Sequence, residues 1–403
     1  MKIKFCRSCK SIKLKNVFSL GKQTLTGIFP PKKNLKITKG DLSMLLCSNC
    51  KLLQLEHNFD SNEMYGDNYG YMSSLNKSME SHLKLKAINL IKKYNLKQND
   101  QVLDIGSNDG TFLSFFNNKL KLYGCDPTIK KFSHLYRKDI NKLPFFFSSQ
   151  HFINKKFKLI TSIAMFYDLP DPLDFAQQIH SILDKNGIWH IELSYMPMMI
   201  KNRSYDTICH EHLEYYSLKS LKYLLDSADL KIINLSFNQI NGGSIELDIT
   251  KKKSKFKESK HLINWVLESE RINKYNEVQK LKLFFKECQN HKYLLKKLLS
   301  TLKKQNKKIL GYGASTKGNV LLQYCNIDSK IINYVAEVNK FKFNKYTPGT
   351  NIKIISEKEA KLKKPDYFLV LPWHFKDHII KREKEFLKKG GKLIFPLPDI
   401  EIV

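Results

Sequence analysis

The apolar residues of this chain fall into short continuous runs separated by stretches with helical spacing. Short runs occur at residues 101–105, 122–125, 157–163, 187–193 and 244–249. Before the first run, a helical stripe is formed by Met79, Leu83, Ala87, Leu90 and Ile91. Short apolar runs predict buried strands, and apolar residues every three or four positions predict a helix. Alternating strands and helices indicate a doubly wound α/β sheet, which binds ligands at the carboxyl ends of its strands.

The last third of the chain repeats this pattern after a lysine-rich segment. Residues 255–305 have helical periodicity and predict long connecting helices with a solvated charged face. A second strand, glycine loop and helix follow at residues 308–319, and further strands are expected near 331–338, 367–371 and 392–395. We therefore expect a second Rossmann-like α/β domain.

The first α/β unit contains the glycine loop Asp104-Ile-Gly106-Ser-Asn-Asp-Gly110. Glycines let the backbone approach a ligand where a Cβ atom would clash. A second run ends in Asp126, where an acid suits the ribose hydroxyls of a nucleotide. The D-x-G-x-x-x-G spacing resembles motif I of the class I S-adenosylmethionine (SAM) methyltransferases, although a glycine turn in another Rossmann-like protein, such as an NAD enzyme, stays open. The SAM-binding residues expected are Asp104, Gly106, Ser107, Asn108, Gly110, Asp126 and Met165.

The cysteines indicate a metal site at the N-terminus. Of eight cysteines, four form the pairs Cys6-x-x-Cys9 and Cys47-x-x-Cys50. Four thiolates make a closed tetrahedral Zn²⁺ site with no open position for catalysis. We expect a structural zinc, with a redox pair or a lost metal site as alternatives.

The charge and hydropathy of the chain limit its partners. The chain has 403 residues and a net charge of +31, but its lysines are spread throughout, together with many Asn, Ile and Phe residues. This spread favours compositional bias over a nucleic-acid surface, and we expect no nucleic-acid partner. No apolar run approaches the length of a membrane span, and the N-terminus lacks the apolar region of a signal peptide. We expect a cytoplasmic protein with no membrane span; its oligomeric state is open.

The candidate catalytic segment is the triplet His210-Glu211-His212, which follows the run at 187–193. On a strand, the two histidines would share one face and Glu211 would take the other. On a turn, Glu211 would orient one histidine and support its protonated form. The triplet is not the H-E-x-x-H helix of a zinc protease. A packed histidine pair and a nonspecific metal site are the alternatives.

Taken together, these motifs resemble the three-domain C-methyltransferases that act on nucleotide-linked 4-keto-deoxyhexoses. The resemblance covers essentially the whole chain, and the H-E-H triplet is its most specific element. It is carried by residues 5–9, 46–55, 103–111, 206–213, 241–244, 311–318 and 346–350. The family layout implies a zinc-binding module at 1–75, a SAM methyltransferase domain at 76–255, and connecting helices with a Rossmann-like domain at 256–403.

The resemblance also implies roles for individual residues. His212 is similar to the base that removes the C3 proton of the sugar, with Glu211 beside it and His210 in the same triplet. A tyrosine of the segment 65–71 is similar to one that reaches the active site, which points to Tyr69 and Tyr71. The family often has tyrosine where this chain has Cys209. If that hydroxyl helps to hold the enolate, either this chain uses another donor, such as Tyr205, Tyr215 or Tyr216, or its substrate differs. The residues expected to hold the nucleotide-sugar substrate are Asn241, Gly242, Gly311, Gly313, Ser315 and Lys317, and Trp373 either lines that cleft or packs.

Three other functions were weighed. A nicotinamide-dependent oxidoreductase would use the second glycine loop, with Glu337 on the ribose, but it leaves H-E-H unexplained. A nucleic-acid methyltransferase or zinc-module RNA-binding protein would use the positive charge, but no compact basic stripe interleaved with aromatics is present. A non-catalytic scaffold is disfavoured by the intact acids, glycines and H-E-H triplet.

Overall fold

The structure is a computed structural model that describes residues 1–60, 63–64 and 71–403. The predicted active-site residue Tyr69 lies outside the described residues. The strands are β1 Leu14–Thr24, β2 Lys39–Cys47, β3 Leu53–Leu55, β4 Gln101–Ile105, β5 Lys121–Cys125, β6 Asn141–Leu143, β7 Phe157–Ile163, β8 Leu183–Ser194, β9 Glu214–Tyr215, β10 Leu230–Asn238, β11 Ser244–Lys251, β12 Ile309–Tyr312, β13 Tyr334–Glu337, β14 Lys353–Ser356, β15 Tyr367–Val370, β16 Lys392–Phe395 and β17 Glu401–Ile402. The α-helices are α1 Lys77–Lys93, α2 Thr111–Ser114, α3 Ile129–Phe132, α4 Pro172–Ile182, α5 Met196–Lys201, α6 Leu218–Ser227, α7 Lys260–Ile272, α8 Val278–Lys304, α9 Thr316–Tyr324, α10 Glu357–Leu362, α11 Lys376–Arg382 and α12 Lys384–Lys388.

The central sheet has seven strands in the order β10-β11-β8-β7-β4-β5-β6. Strands β4 to β8 are parallel, and β10 and β11 add an antiparallel edge. The predicted α/β class is confirmed. The predicted helical stripe is also confirmed, because Met79, Leu83, Ala87 and Leu90 of α1 are buried.

The C-terminal sheet has six strands in the order β14-β13-β12-β15-β16-β17. Its first five strands in this order are parallel, so it forms the predicted second α/β unit. The lysine-rich segment forms α7 and α8, as predicted. Helix α8 buries an apolar stripe that includes Leu281, Phe284 and Cys288.

The N-terminal module forms a four-stranded antiparallel sheet in the order β1-β2-β3-β9. Strand β9 comes from the middle of the chain and begins two residues after His212. The module packs on both sides. Phe18 of β1 stacks on Phe285 of α8 with ring centroids 5.3 Å apart, while Cys6 and Cys47 lie in the same apolar cluster as the central sheet. The module is therefore wedged between the two α/β units.

Within the described residues, no helix is both long and apolar enough to cross a membrane.

Candidate functional site

A cavity of about 640 Å³ opens at the carboxyl edge of the central sheet. All three parts of the chain contribute to its wall. Gly27 and Phe29 come from the N-terminal module, Asp104 and His212 from the middle part, and Lys317 from the C-terminal unit. We call it the central cavity. It extends from the first glycine loop to the first turn of α9.

The first glycine loop is shaped by two residues with positive φ. Gly106 has φ +78°, and a Cβ atom built there would lie 2.9 Å from Cγ of Met165. Gly110 has φ +77°, and its Cβ atom would lie 2.8 Å from the ring of Tyr136. A substituted loop would therefore be strained and crowded at both positions. Gly106 and Met165 line the central cavity, whereas Gly110 is packed against Tyr136 beneath it.

The acids of this loop are placed for a nucleoside. Asp126 lies on the cavity wall, and its carboxylate accepts hydrogen bonds from the Asn108 amide at 2.9 Å and the Thr128 amide at 2.7 Å. Burial raises the pKa of Asp104 to about 7, and the Thr161 hydroxyl, which donates to it at 2.6 Å, opposes that rise. Ser107 and Asn108 also line the cavity. Glycine backbone, an accepting carboxylate and an apolar Met165 fit the adenosyl part of SAM.

The segment before α1 closes over this loop. The side-chain amide of Asn108 donates to the carbonyl of Tyr71 at 3.1 Å, and its oxygen accepts from the amide of Ser73 at 3.1 Å. The amide of Ser74 donates to Asp109 at 2.9 Å. Tyr71 lines the central cavity. The structure therefore brings Tyr71 to the SAM side of the cavity.

A cluster around Glu192 escaped sequence reasoning. Glu192 is buried at the end of β8, lines the cavity, and contacts His82 at 2.8 Å and Lys86 at 2.7 Å. Although burial opposes ionisation, these two contacts lower the pKa of Glu192 to about 2. His82, Glu192 and Glu246 approach closely enough to bracket an ion, but the ammonium of Lys86 occupies that position, 2.7 Å from Glu246. The two partners of Glu192, His82 and Lys86, come from α1, so only the tertiary structure assembles the cluster.

The H-E-H triplet forms a turn and not a strand. Glu211 and His212 both line the central cavity. His210 faces the other way: it is fully buried against Phe59 of the N-terminal module, with ring centroids 4.8 Å apart, and its Nε2 lies 3.4 Å from the Gly40 carbonyl. The expected common face of the two histidines is therefore wrong, because a turn separates residues that a strand would align. The structure does not bring His210 to the cavity.

His212 is held as one tautomer. Its Nδ1 lies 2.7 Å from the carbonyl oxygen of Thr207. A carbonyl only accepts, so Nδ1 carries the proton and Nε2 has the free lone pair. Burial lowers the pKa of His212 to about 3, and the charge of Lys317 adds to this effect. His212 is therefore a neutral imidazole at neutral pH, oriented by Thr207 and not by Glu211 as the turn hypothesis held.

Glu211 receives its surroundings from the N-terminal module. The Thr26 hydroxyl donates to its Oε2 at 3.4 Å, and a Cβ atom on Gly27 would lie 2.4 Å from its Oε1. Burial raises the pKa of Glu211. Burial favours the protonated form of the Glu211 carboxyl group, and in that form it can donate a hydrogen bond to an oxygen in the cavity.

The residue before the triplet and its proposed substitutes lie outside the cavity. Cys209 is fully buried in the apolar core. Tyr205 hydrogen bonds to His291 at 2.9 Å, and Tyr215 and Tyr216 are buried without lining the cavity. The described residues place Tyr167 there instead, edge-to-face on the His212 ring with centroids 4.5 Å apart. Tyr167 lies two residues after Met165, but sequence reasoning did not single it out.

The C-terminal unit supplies the cationic wall. Ser315, Thr316 and Lys317 line the cavity at the start of α9, and Lys317 donates to the Asn241 carbonyl at 2.8 Å. Burial lowers the pKa of Lys317, and Asp206 opposes this effect. Asn241 lines the cavity as well. Lys342 adds a second cation to this wall. His374 lines the cavity as well, but burial lowers its pKa and disfavours its charged form.

The remaining glycines predicted to bind substrate serve packing. A Cβ atom on Gly311 would lie 2.9 Å from Val335, on Gly313 2.7 Å from Pro372, and on Gly242 3.1 Å from Trp373. None of the three glycines lines the central cavity. The family resemblance placed these glycines at the substrate, but strand and loop packing explains their lack of a side chain.

Trp373 and Glu337 also have structural partners. The indole of Trp373 is buried and donates to Asp206 at 2.8 Å, which favours the packing interpretation. Glu337 was the ribose acid of the nicotinamide alternative. Its Oε2 accepts from the Ala314 amide at 2.9 Å, and its Oε1 accepts from the amides of Val338 and Asn339 at 2.7 and 2.9 Å. The Glu337 carboxylate therefore holds the backbone of the second glycine loop and of the residues that follow β13.

The four N-terminal cysteines converge. The sulfur atoms of Cys6, Cys9, Cys47 and Cys50 all lie within 4.8 Å of one another. Four soft thiolates at this spacing fit tetrahedral Zn²⁺, with every coordination position taken by protein. None of the four cysteines lines the central cavity, so the zinc site is structural.

Comparison with protein families divides the chain into three matches. Residues 6–65 match a zinc binding domain, residues 79–235 a methyltransferase domain, and residues 239–398 a C-methyltransferase C-terminal domain. The chain is a SAM-dependent methyltransferase. Its cofactors are SAM and structural zinc. The methyltransferase has the domain set expected from its motifs.

The methyltransferase also resembles the C-methyltransferase NovU of Streptomyces niveus. The two are 27% identical over 99% of this chain and 96% of that protein. Among solved structures, the plantazolicin methyltransferase BpumL in complex with SAH is 14% identical to this chain, with a TM-score of 0.36. The match covers 43% of this chain and 86% of the BpumL chain. A SAM-dependent methyltransferase from Clostridium acetobutylicum is 15% identical, with a TM-score of 0.34. That match covers 43% of this chain and 92% of the Clostridium chain.

Proposed function

We propose that this methyltransferase removes the C3 proton of a nucleotide-linked 4-keto-deoxysugar and methylates that carbon. The observation that carries the proposal is the fixed tautomer of His212. Its basic Nε2 belongs to a residue on the cavity wall, between the glycine loop and the cationic wall at Lys317. NovU is a C-methyltransferase by name, which supports carbon as the acceptor.

The proposed first step is proton removal. The Nε2 lone pair of His212 takes the proton from C3, and the C3–H electron pair becomes the enolate of the C4 ketone. An enolate forms only if its charge is stabilised, and one well-placed donor contributes about 10²–10³ in rate. Glu211 and Lys317 both line the cavity, and they are the proposed donors in place of the family tyrosine.

The second step forms the carbon–carbon bond. SAM supplies an electrophilic methyl group when bound. The enolate carbon would bond to that methyl as the methyl–sulfur bond breaks, and the electron pair of the broken bond would stay on sulfur, so that S-adenosylhomocysteine leaves. The ketone is restored, and the proton on His212 goes to solvent. Efficient transfer requires the two carbons to be held about 3–3.5 Å apart. The glycine loop and the cationic wall, which line the same cavity, would hold the two reactants.

The diphosphate of the substrate gives Lys317 a second role. Lys317 lowers the pKa of His212 in the free enzyme. A diphosphate bound at Lys317 offsets that charge, so substrate binding raises the pKa of His212 and strengthens the base. The base then becomes most effective only when the sugar nucleotide is in place.

The test is mass spectrometry of dTDP-4-keto-6-deoxyhexose incubated with enzyme in deuterated water. Deuterium uptake at C3 without SAM, and a product heavier by one methyl group with SAM, are expected. His212→Gln should abolish both, whereas the exposed His261→Gln should retain both. If dTDP-, GDP- and CDP-linked sugars all fail to exchange, the proposed substrate class is wrong.

A further inference from the structure

The catalytic turn is physically part of the N-terminal sheet. Strand β9 pairs with β3, so that Gln54 lies opposite Glu214. The backbone amide of Leu55 donates to the carbonyl of Leu213 at 2.9 Å, and the backbone amide of Leu213 donates to the carbonyl of Tyr167 at 2.8 Å. The residue after His212 is therefore held between the N-terminal module and the loop that follows β7.

Arg7 reaches this turn from the metal site. It lies between the first two cysteines of the cluster, and its side chain is buried. The guanidinium donates to the carbonyls of Leu55 at 2.6 Å and His57 at 3.1 Å. Its Nε lies 3.6 Å from Oε1 of Glu214. The backbone bonds fix the guanidinium, so the charge beside Glu214 is preorganised.

The Arg7–Glu214 pair is shielded from water. The side chains are 2% and 0% exposed. Burial raises the pKa of Glu214, and the charge of Arg7 opposes that rise, so the guanidinium favours the ionised carboxylate. Loss of either partner would leave the other buried without its counter-charge. By contrast, Lys10 of the same loop pairs with Asp171 at 2.6 Å, but those side chains are 51% and 44% exposed. Exposed pairs contribute little, which makes Lys10 a matched control.

We propose that Arg7 is a positioning residue: it holds Glu214 and thereby fixes the turn that presents Glu211 and His212 to the central cavity. The N-terminal module is then part of the active site's framework as well as a folding unit. This inference rests on the proposed function, since it takes His212 as the base.

The experiment compares Arg7→Met, Arg7→Lys, Glu214→Gln and Lys10→Met in the full-length zinc-loaded enzyme. Zinc content and SAM affinity report the fold. The imidazole NMR signal of His212, assigned by its loss in His212→Gln, reports the turn without any substrate. The rate of C3 deuterium exchange and its KM report the base.

The expected result is a separation of these readouts. Arg7→Met and Glu214→Gln should keep zinc and SAM affinity within about twofold and shift the His212 signal. Both should lower the exchange rate at least tenfold with KM changed less than about threefold, because the substrate pocket remains. Arg7→Lys should recover part of the rate, and Lys10→Met should match the wild type.

Two outcomes overturn the inference. One is a Glu214→Gln enzyme that keeps zinc yet changes neither the His212 signal nor the exchange rate. Because Glu214→Gln leaves the bonds from Arg7 to the backbone intact, it still tests the inference if Arg7→Met fails to fold. The other is an equal effect in Lys10→Met. If the wild type exchanges no sugar, the proposed function fails, while the substrate-free His212 signal still decides the role of Arg7.

Discussion

The Nδ1 of His212 donates a hydrogen bond to the carbonyl oxygen of Thr207 at 2.7 Å. This bond decides which nitrogen is basic, because the backbone oxygen has no proton to give. The two residues are five positions apart in sequence. The chain must therefore fold back between them, through the buried Cys209 and His210, before His212 reaches the central cavity. The following predictions depend on this geometry and its surroundings.

The rate of C3 exchange should fall by about 10²–10⁴-fold in His212→Gln, because a general base usually contributes a factor of this size. Glutamine retains a hydrogen-bonding amide but has no basic nitrogen. SAM affinity, measured by titration calorimetry, should stay within about twofold of the wild type. A variant that still exchanges C3 at more than a tenth of the wild-type rate would exclude His212 as the base.

The acid limb in the pH profile of C3 exchange should depend on the charge of Lys317. A base acts in its neutral form, and the pKa of His212 is lowered to about 3 by burial and by Lys317. In the free enzyme, kcat/KM should therefore stay level as the pH falls through 6.5 and decline only at lower pH. Lys317→Met should move this limb to higher pH and raise KM. An unmoved limb would show that Lys317 does not influence the base.

The fold should lose stability in acid through His210. Burial lowers the pKa of His210 from the ordinary 6.5 to about 4. Between these values the unfolded chain binds more protons, so the free energy of unfolding rises with pH through this window, by at most about 1.4 kcal/mol per pH unit. His210→Gln should flatten this slope in urea unfolding from pH 4 to 7, and the exposed His261→Gln should leave it unchanged. Equal slopes in wild type and His210→Gln would contradict the assignment.

Gly106→Ala should weaken SAM binding at least tenfold. The new Cβ atom meets Met165 at 2.9 Å on the cavity wall, in addition to the strain of φ +78°. Gly390→Ala is a matched control, since Gly390 has φ +84° but nothing within 4 Å. Both variants should lose about 1–2 kcal/mol of stability from backbone strain. Only Gly106→Ala should lose SAM affinity in calorimetry; similar losses in both would show that strain alone is responsible.

Removal of zinc should destabilise the whole chain. Cys9→Ser removes one of four ligands, and loss of a structural zinc costs several kcal/mol, which lowers Tm by roughly 10 °C. Elemental analysis should find one zinc per chain in the wild type and in Cys288→Ser, because Cys288 lies in α8, outside the cluster. A full complement of zinc in Cys9→Ser would refute the ligand set.

Several features were predictable because their signals are local. A C-x-x-C pair places two thiolates on one turn, and D-x-G-x-x-x-G needs positive φ at its glycines. The cysteine cluster, the α/β class and the position of α1 follow from such signals. The resemblance of the H-E-H triplet added the role of His212. These inferences needed no knowledge of which segments meet in space.

The tertiary structure decided what each motif faces. A turn, which the sequence did not distinguish from a strand, separates His210 from His212 because packing against Phe59 buries one ring and exposes the other to the cavity. Three contacts join residues that are far apart in the chain. They are the contacts of Tyr167 with His212, of Glu192 with Lys86 and of Arg7 with Glu214. By itself, the sequence determined the domain chemistry, the metal ligands and the cofactor loop. Only the fold determined which imidazole faces the central cavity and which of its nitrogens is free, since burial, tautomer and neighbouring charge are properties of three-dimensional contact.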